Sequence, residues 1–135
     1  GSVWSPTIDA IQHTQTVSLP DTRVISLHWA IENLPPGSTV GREHYTPPLE
    51  DHSDLFQVFP LGSFAVAKVP ERVLEQDYMI VSEADYARYV ADPERYPDEA
   101  RRYEEFFISH VLVHETTASR ENNGPTIRIY QLKGD

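Results

Sequence analysis

The sequence contains no cysteine, only one methionine, and no long hydrophobic run among its 135 residues. The absence of cysteine excludes disulfide bonds, thiol nucleophiles and cysteine-ligated zinc. No apolar stretch approaches the roughly 20 residues that a helix needs to cross a bilayer. We therefore expect this piece of chain to be soluble as it stands.

Basic side chains are also scarce, with 11 Lys and Arg against 21 Asp and Glu and a formal net charge of −10. A strongly acidic surface repels the phosphates of nucleic acids, so no nucleic-acid partner is predicted. The same sign of charge argues against docking on anionic lipid through a basic face. The length and the share of apolar residues fit one domain with a modest core.

The chain divides into a short lead-in and one domain. Gly1 and Ser2 are expected to be a tag remnant, and residues 3–20 are polar with isolated apolar side chains. We interpret residues 1–20 as tag remnant and lead-in segment, and residues 21–135 as a single α/β domain.

The first half of the domain predicts one helix and two strand regions. A helix should begin at Asp21, whose carboxylate can cap free amides, and end at the Pro-Pro-Gly sequence of residues 35–37. Residues 38–44 then favour a strand. Residues 55–69 are apolar but interrupted by a proline and a glycine, which fits either one bent strand or a strand followed by a turn.

The second half predicts two helices and a closing hairpin. A short strand over residues 78–81 leads to Ser82, which with Asp85 three residues later is typical of a capping box. Pro97 opens a further helix. Residues 111–116 and 126–132 favour two strands joined by a turn-rich segment. The order of elements predicts a mixed β-sheet of about five strands with helices packed on it and a C-terminal antiparallel hairpin.

Histidine pairs are the first candidates for a chemical site. His110 and His114 are four residues apart and would share one face of a strand. Two histidines alone do not complete a zinc site, so the favoured interpretation is structural and no metal or other cofactor is predicted. A metal-dependent hydrolase that uses His44, His52 or the His110–His114 pair is an alternative hypothesis.

The loop over residues 45–54 is the favoured contact surface. Glu43 and His44 lead into it, its spacing matches no calcium-binding loop, and long polar loops on a rigid scaffold often carry binding. Tyrosines beside prolines add rings that can stack on sugars. Nucleophile and phosphate-loop motifs are absent, so no catalytic residue is predicted. The predicted ligand-binding residues are Tyr45, Glu50, Asp51, His52, Asp54 and Tyr96.

Three stretches resemble a bacterial family in the same order. They are DTRVISLHWAIENLPPGSTV (residues 21–40), YMIVSEADYARYVADPERYPDEARRYEEFF (residues 78–107) and GPTIRIYQL (residues 124–132). Together they are similar to the soluble C-terminal part of membrane glycosyltransferases of the protein-mannosyltransferase and aminoarabinose-transferase superfamily. Members of that superfamily take a sugar from a polyprenyl-phosphate donor on the extracytoplasmic side of the membrane.

The resemblance implies a domain that does no chemistry alone. The catalytic carboxylate of such enzymes lies near their first membrane helices, so none is carried over to this chain. The implied role is to position or recognise acceptor, or to stabilise the membrane part, at the extracytoplasmic face of the cell membrane. The implied partners are the membrane-embedded part of the same polypeptide and a saccharide or lipid-linked sugar. A free-standing small-ligand or protein-interaction module is the other hypothesis that stays open.

Overall fold

The computed structural model describes residues 21–68 and 70–133. The predicted lead-in over residues 1–20 lies outside this part. The helices are α1 (Thr22–Asn33), α2 (Pro70–Val73), α3 (Glu83–Val90) and α4 (Pro97–Ser109), and the strands are β1 (Ser38–Glu43), β2 (Phe56–Gly62), β3 (Tyr78–Ser82), β4 (Val111–Thr116) and β5 (Ile127–Gln131).

The strands form one mixed sheet in the order β2-β1-β3-β5-β4. β1 runs parallel to both β2 and β3, whereas β5 is antiparallel to β3 and to β4. The predicted mixed sheet with a closing hairpin is therefore confirmed. Three parallel strands end at the same edge of the sheet, which brings distant parts of the sequence together there.

Of the two alternatives for the apolar segment that begins at residue 55, its described residues 55–68 form a strand followed by a turn. β2 ends at Gly62 with a φ of 78°, and a 3-10 turn, Phe64–Val66, follows it. Pro60 is accommodated because β2 lies at the edge of the sheet, where a strand tolerates a residue without an amide donor.

Helix α1 covers one face of the sheet. Asp21 caps it, because its side chain accepts a hydrogen bond from the Arg23 amide at 2.8 Å. The core on this face includes Ala30 from the helix and apolar side chains from β1, β3 and β5. Leu49, from the 3-10 turn Leu49–His52 in the β1–β2 connection, is fully buried in the same cluster.

Helices α3 and α4 cover the opposite face with an aromatic cluster. Tyr86, Tyr103, Phe106 and Tyr130 are all buried in it. The ring centroids of Tyr86 and Tyr103 lie 6.1 Å apart, and those of Phe106 and Tyr130 lie 5.1 Å apart in an edge arrangement. Tilted and edge-to-face rings at these distances pack favourably, so this face is held by α3 and α4 together.

The predicted capping box at α3 is only half correct. Ser82 does cap the helix, since its Oγ accepts the Ala84 amide at 3.2 Å. Asp85 does not accept the Ser82 amide as the motif requires; that amide donates instead to Glu43 on β1.

None of the helices in the described part of the chain has the length and hydrophobicity that crossing a bilayer requires.

Candidate functional site

The carboxyl ends of β1 and β3 form a topological switch point. The chain leaves β1 towards β2 on one side, and leaves β3 through α3 and α4 towards β4 at the far edge. The two connections also pack on opposite faces of the sheet. Diverging connections of this kind open a crevice outside the strand ends, which is where ligands bind in open α/β sheets.

Glu43 occupies this switch point and is 1% exposed. Its Oε2 accepts the Phe64 amide at 2.8 Å and the Tyr103 hydroxyl at 2.5 Å. Its Oε1 accepts the Ser82 amide at 3.2 Å. One side chain thus bonds to the end of β3, to the segment after β2 and to α4.

Burial dominates the electrostatics of Glu43. Removal of the carboxyl from water raises its pKa from 4.5 to about 8, and the charge of Asp85 adds to that rise. The bonds from Tyr103, Phe64 and Ser82 act in the other direction, because they stabilise the charged form. Burial and the bond to Glu43 likewise raise the pKa of the Tyr103 hydroxyl. Burial thus favours the protonated form of Glu43, whereas its three hydrogen bonds favour the charged form.

Asp85 is the second acid at the crevice. The residue is 8% exposed, and within the described part of the chain its Oδ2 has no hydrogen-bond partner. Burial raises its pKa from 3.8 to about 6, although the nearby His44 and Arg88 lower it. A buried carboxylate oxygen without a donor is costly, so the ordinary physical remedy is to bind a proton.

A groove lies beside the switch point, between α1 and the start of the β1–β2 connection. It encloses about 450 Å³. Tyr45 is one of the residues that line it. This tyrosine is 57% exposed, and its backbone φ is 60°. A non-glycine residue in that left-handed region is uncommon and costs free energy, and such residues concentrate at binding sites. The groove is lined by Asp21, Arg23, Val24, Leu27, Arg42, Tyr45, Thr46 and Pro48.

The arginines of the groove are already paired. The Arg42 Nη1 donates to both Glu50 oxygens, at 2.9 and 2.8 Å, while its Nε donates to the Thr46 hydroxyl at 3.0 Å. Arg23 donates to both oxygens of Asp21, at 2.9 and 3.0 Å. The two guanidinium groups are therefore oriented by carboxylates and bring little uncompensated positive charge to the groove.

The predicted contact residues of the loop differ in whether they reach the groove. Tyr45 lines the groove directly, and Glu50 acts on it through Arg42. Asp51 and Asp54 are exposed and His52 is half-buried, but none of these three lines the groove.

Tyr96 takes a different place from Tyr45. Its ring meets that of Tyr89 edge-on with centroids 5.0 Å apart, and the Arg95 guanidinium lies 5.3 Å from its centroid. Tyr89 in turn packs against the aromatic cluster under α3 and α4. Tyr96 therefore belongs to the opposite face of the sheet from α1.

His110 and His114 pack on opposite faces of the sheet. His110 ends α4, and its ring packs on Phe106 with centroids 4.6 Å apart. His114 stacks on Trp29 of α1, with centroids 4.4 Å apart and an interplanar angle of 17°. The expected shared strand face is not formed, since His110 precedes β4 and the register shifts between Leu112 and His114. Within residues 21–68 and 70–133, no three His, Asp or Glu side chains are grouped closely enough to hold a metal ion.

Sequence reasoning missed the roles of Glu43, Asp85 and Arg42. Glu43 looked like one more acidic residue before a polar loop, and Asp85 looked like half of a capping box. A usable signal was present, because the strand predicted over residues 38–44 carries a charged residue near its end. No protein-family model, curated protein or solved structure matches this chain.

Proposed function

We propose that this chain is a non-catalytic, extracytoplasmic domain of a bacterial membrane glycosyltransferase, and that its groove binds a saccharide acceptor. The observation that carries the binding site is the exposed ring of Tyr45, held in a left-handed conformation above the groove. The parentage is supported by the ordered resemblance of three stretches of sequence. Their residues form the cap and end of α1, the β3–α3 junction and β5.

The chemistry of the groove favours a sugar. A tyrosine ring presents an apolar face on which the carbon–hydrogen face of a pyranose can stack. Val24 and Leu27 of α1 add apolar side chains to the lining of the groove, and Thr46 and Arg42 add polar ones. Such a mixture of apolar walls with a few oriented polar groups is typical of small-molecule sites.

The paired arginines favour a neutral sugar over a phosphate. A phosphate group is best held by guanidinium groups whose charge is free to meet it. Arg42 instead has both carboxylate oxygens of Glu50 on one nitrogen, and the whole chain carries a net charge of −10. We therefore assign the groove to the hydroxyl-bearing acceptor side of the transfer rather than to the polyprenyl phosphate.

An NMR titration of the chain tests this assignment. Neutral methyl hexosides, added to the nitrogen-15-labelled protein, are expected to shift amides of α1 and of residues 42–48. Hexose 1-phosphates should shift the same amides more weakly, because they meet a negative protein. Absence of shifts in this region with every hexoside, or shifts elsewhere alone, would refute the groove as the binding site.

Arg42→Ala removes the partner of Glu50 and the donor to Thr46, so it is expected to abolish the shifts. Arg101→Ala is the matched control, because Arg101 is an exposed arginine that pairs with Asp98 at 3.2 Å far along the chain in α4.

The membrane parentage has a separate test. The gene upstream of residue 1 is expected to encode several apolar segments of about 20 residues, and a start codon directly before this domain would contradict it.

A further inference from the structure

A second cavity lies on the face of the sheet opposite to the groove. It encloses about 270 Å³ between α4, the end of α2 and the 3-10 turn after β2. Its lining includes Phe64 and Phe106, which belong to the aromatic cluster under α3 and α4. We propose that this cavity binds a small monocarboxylate with an apolar body, and that Arg102 of α4 receives the carboxylate. This site is separate from the groove and does not depend on what the groove binds.

Arg102 is held in place by uncharged groups. Its Nη1 donates to the Phe64 carbonyl at 2.9 Å and to the Ala65 carbonyl at 3.0 Å, and its guanidinium carbon lies 5.8 Å from the centroid of the Phe64 ring. Arg102 forms no salt bridge within the described part of the chain, since the nearby Glu105 pairs with Arg101 instead. The contacts therefore orient the guanidinium group without neutralising its charge.

The other two nitrogens of Arg102 indicate the class of ligand. Among the described residues, no acceptor bonds to its Nε or its Nη2. Two neighbouring guanidinium nitrogens match the two oxygens of a carboxylate, and they match a phosphate equally well. Glu105 also lines the cavity, and the chain has a net charge of −10. These charges repel a phosphate dianion about twice as strongly as a monoanion at the same place, so they favour a carboxylate.

The remaining walls favour an apolar body on that carboxylate. Pro70 and Leu74 line the cavity together with the two phenylalanines. Leu74 is 38% exposed, so a ligand still has apolar surface to cover there. The volume of about 270 Å³ is below the range of about 300–1,000 Å³ that suits drug-sized molecules. A short aliphatic acid such as hexanoate is therefore a suitable probe.

The course of α4 indicates how the ligand lies. Arg102, Phe106 and Ser109 are spaced four and three residues apart, so they follow one stripe of the helix towards its end. His110 lies beyond them, and its ring packs on Phe106 with centroids 4.6 Å apart. The last carbonyls of a helix carry partial negative charge, which disfavours an anion at that end. We therefore expect the carboxylate at Arg102 and the apolar body towards Phe106.

An NMR titration of the nitrogen-15-labelled chain with sodium hexanoate at pH 7 tests the site. Hexanoate is expected to shift amides of residues 71–75 and 102–110, with a dissociation constant on the order of 1 mM. Hexanamide lacks the charge and acetate lacks the apolar body, so each should bind at least tenfold more weakly. Equal binding of hexanamide, or tighter binding of inorganic phosphate, would overturn the assignment, as would the absence of hexanoate shifts in both segments.

Variants of two neighbouring arginines separate the role of Arg102 from charge in general. Arg102→Lys keeps a positive charge and a donor for the carbonyls but loses the paired nitrogens, so hexanoate should bind at least fivefold more weakly. Arg101→Lys is the matched control, because Arg101 already pairs with Asp98 and Glu105, and it should stay within twofold of the wild type. Unchanged affinity in Arg102→Lys would refute the role of its guanidinium group.

Two further variants decide the matter even if Arg102→Lys does not fold. Glu105→Gln removes an exposed negative charge from the lining and should make hexanoate bind at least twofold more tightly. Leu74→Ser removes a partly exposed apolar wall and should weaken binding at least threefold. Unchanged hexanoate affinity in both variants would show that this cavity is not the binding site.

Discussion

The amide of Ser82 donates to the carboxyl of Glu43 across the gap between β3 and β1, at 3.2 Å. The Ser82 amide at the start of α3 is therefore bonded to a residue 39 positions earlier in the chain, rather than to a side chain of the first turn of α3. This single bond displaces Asp85 from the amide that a capping box would have given it. Glu43 thus takes the place that Asp85 would have in a capping box, and the Asp85 Oδ2 at the crevice has no hydrogen-bond donor in the described part of the chain.

Tyr103→Phe tests how far the fold depends on the Glu43 cluster. The hydroxyl is fully buried and donates to Glu43, so its removal leaves a buried acceptor underbonded. We expect a loss of about 1–3 kcal/mol in the free energy of unfolding, measured with urea. Tyr89→Phe, in a ring that stacks on Tyr103 with centroids 6.1 Å apart, is the control and should change stability by less than about 0.5 kcal/mol. Equal losses in the two variants would contradict the role of the hydroxyl.

The stability of the protein should fall as the pH rises from 7 to 8.5. The folded state holds the Glu43 proton with a pKa of about 8, against 4.5 when the group is in water. A raised carboxyl pKa gives stability that is complete below the unfolded value and is lost as the pH rises through the folded one. Urea midpoints of the wild type are therefore expected to decrease across this range.

Glu43→Gln is the comparison for that pH series, because an amide cannot ionise. Its urea midpoint should change less with pH over the same range, and its curve should approach or cross that of the wild type at the alkaline end. A wild-type midpoint that does not fall between pH 7 and 8.5 would show that Glu43 is already ionised in the folded state.

Gly124 and Gly37 offer a matched pair of backbone tests. Both have positive φ, of 105° and 89°, but a methyl group on Gly124 would lie 2.6 Å from Thr22 Oγ1, whereas nothing lies within 4 Å at Gly37. Both changes to Ala force a side chain into the left-handed region, at about 1–2 kcal/mol. Gly124→Ala should cost about 1–3 kcal/mol more, since the start of α1 must shift. Similar unfolding free energies for the two variants would be evidence against this close approach.

Tyr45→Gly should separate function from stability. Glycine adopts a φ of 60° without strain, and the exposed ring contributes little to the core, so the unfolding free energy should change by less than about 1 kcal/mol. Hexoside-induced NMR shifts in the groove are expected to disappear in the same variant. Tyr45→Ala keeps the backbone strain but also lacks the ring, and it should lose the shifts equally. Retained binding in either variant would remove Tyr45 from the site.

The sequence by itself determined the elements that depend on neighbouring residues. The cap at Asp21, the end of α1 at the prolines, the cap at Ser82 and the closing hairpin are local signals, and each is found where it was predicted. The mixed sheet followed from their order. The resemblance to membrane glycosyltransferases also came from the sequence, and it stays a prediction.

Only the tertiary structure decided which side chains meet. Glu43, Asp85 and Tyr103 lie on three different elements and come together because parallel strands end at one edge of the sheet. The expected histidine pair is separated because His110 packs on the α4 face and His114 on the α1 face. Local patterns record the period of a helix or a strand, whereas the burial and pairing of a charge depend on long-range contacts that no short stretch of sequence contains.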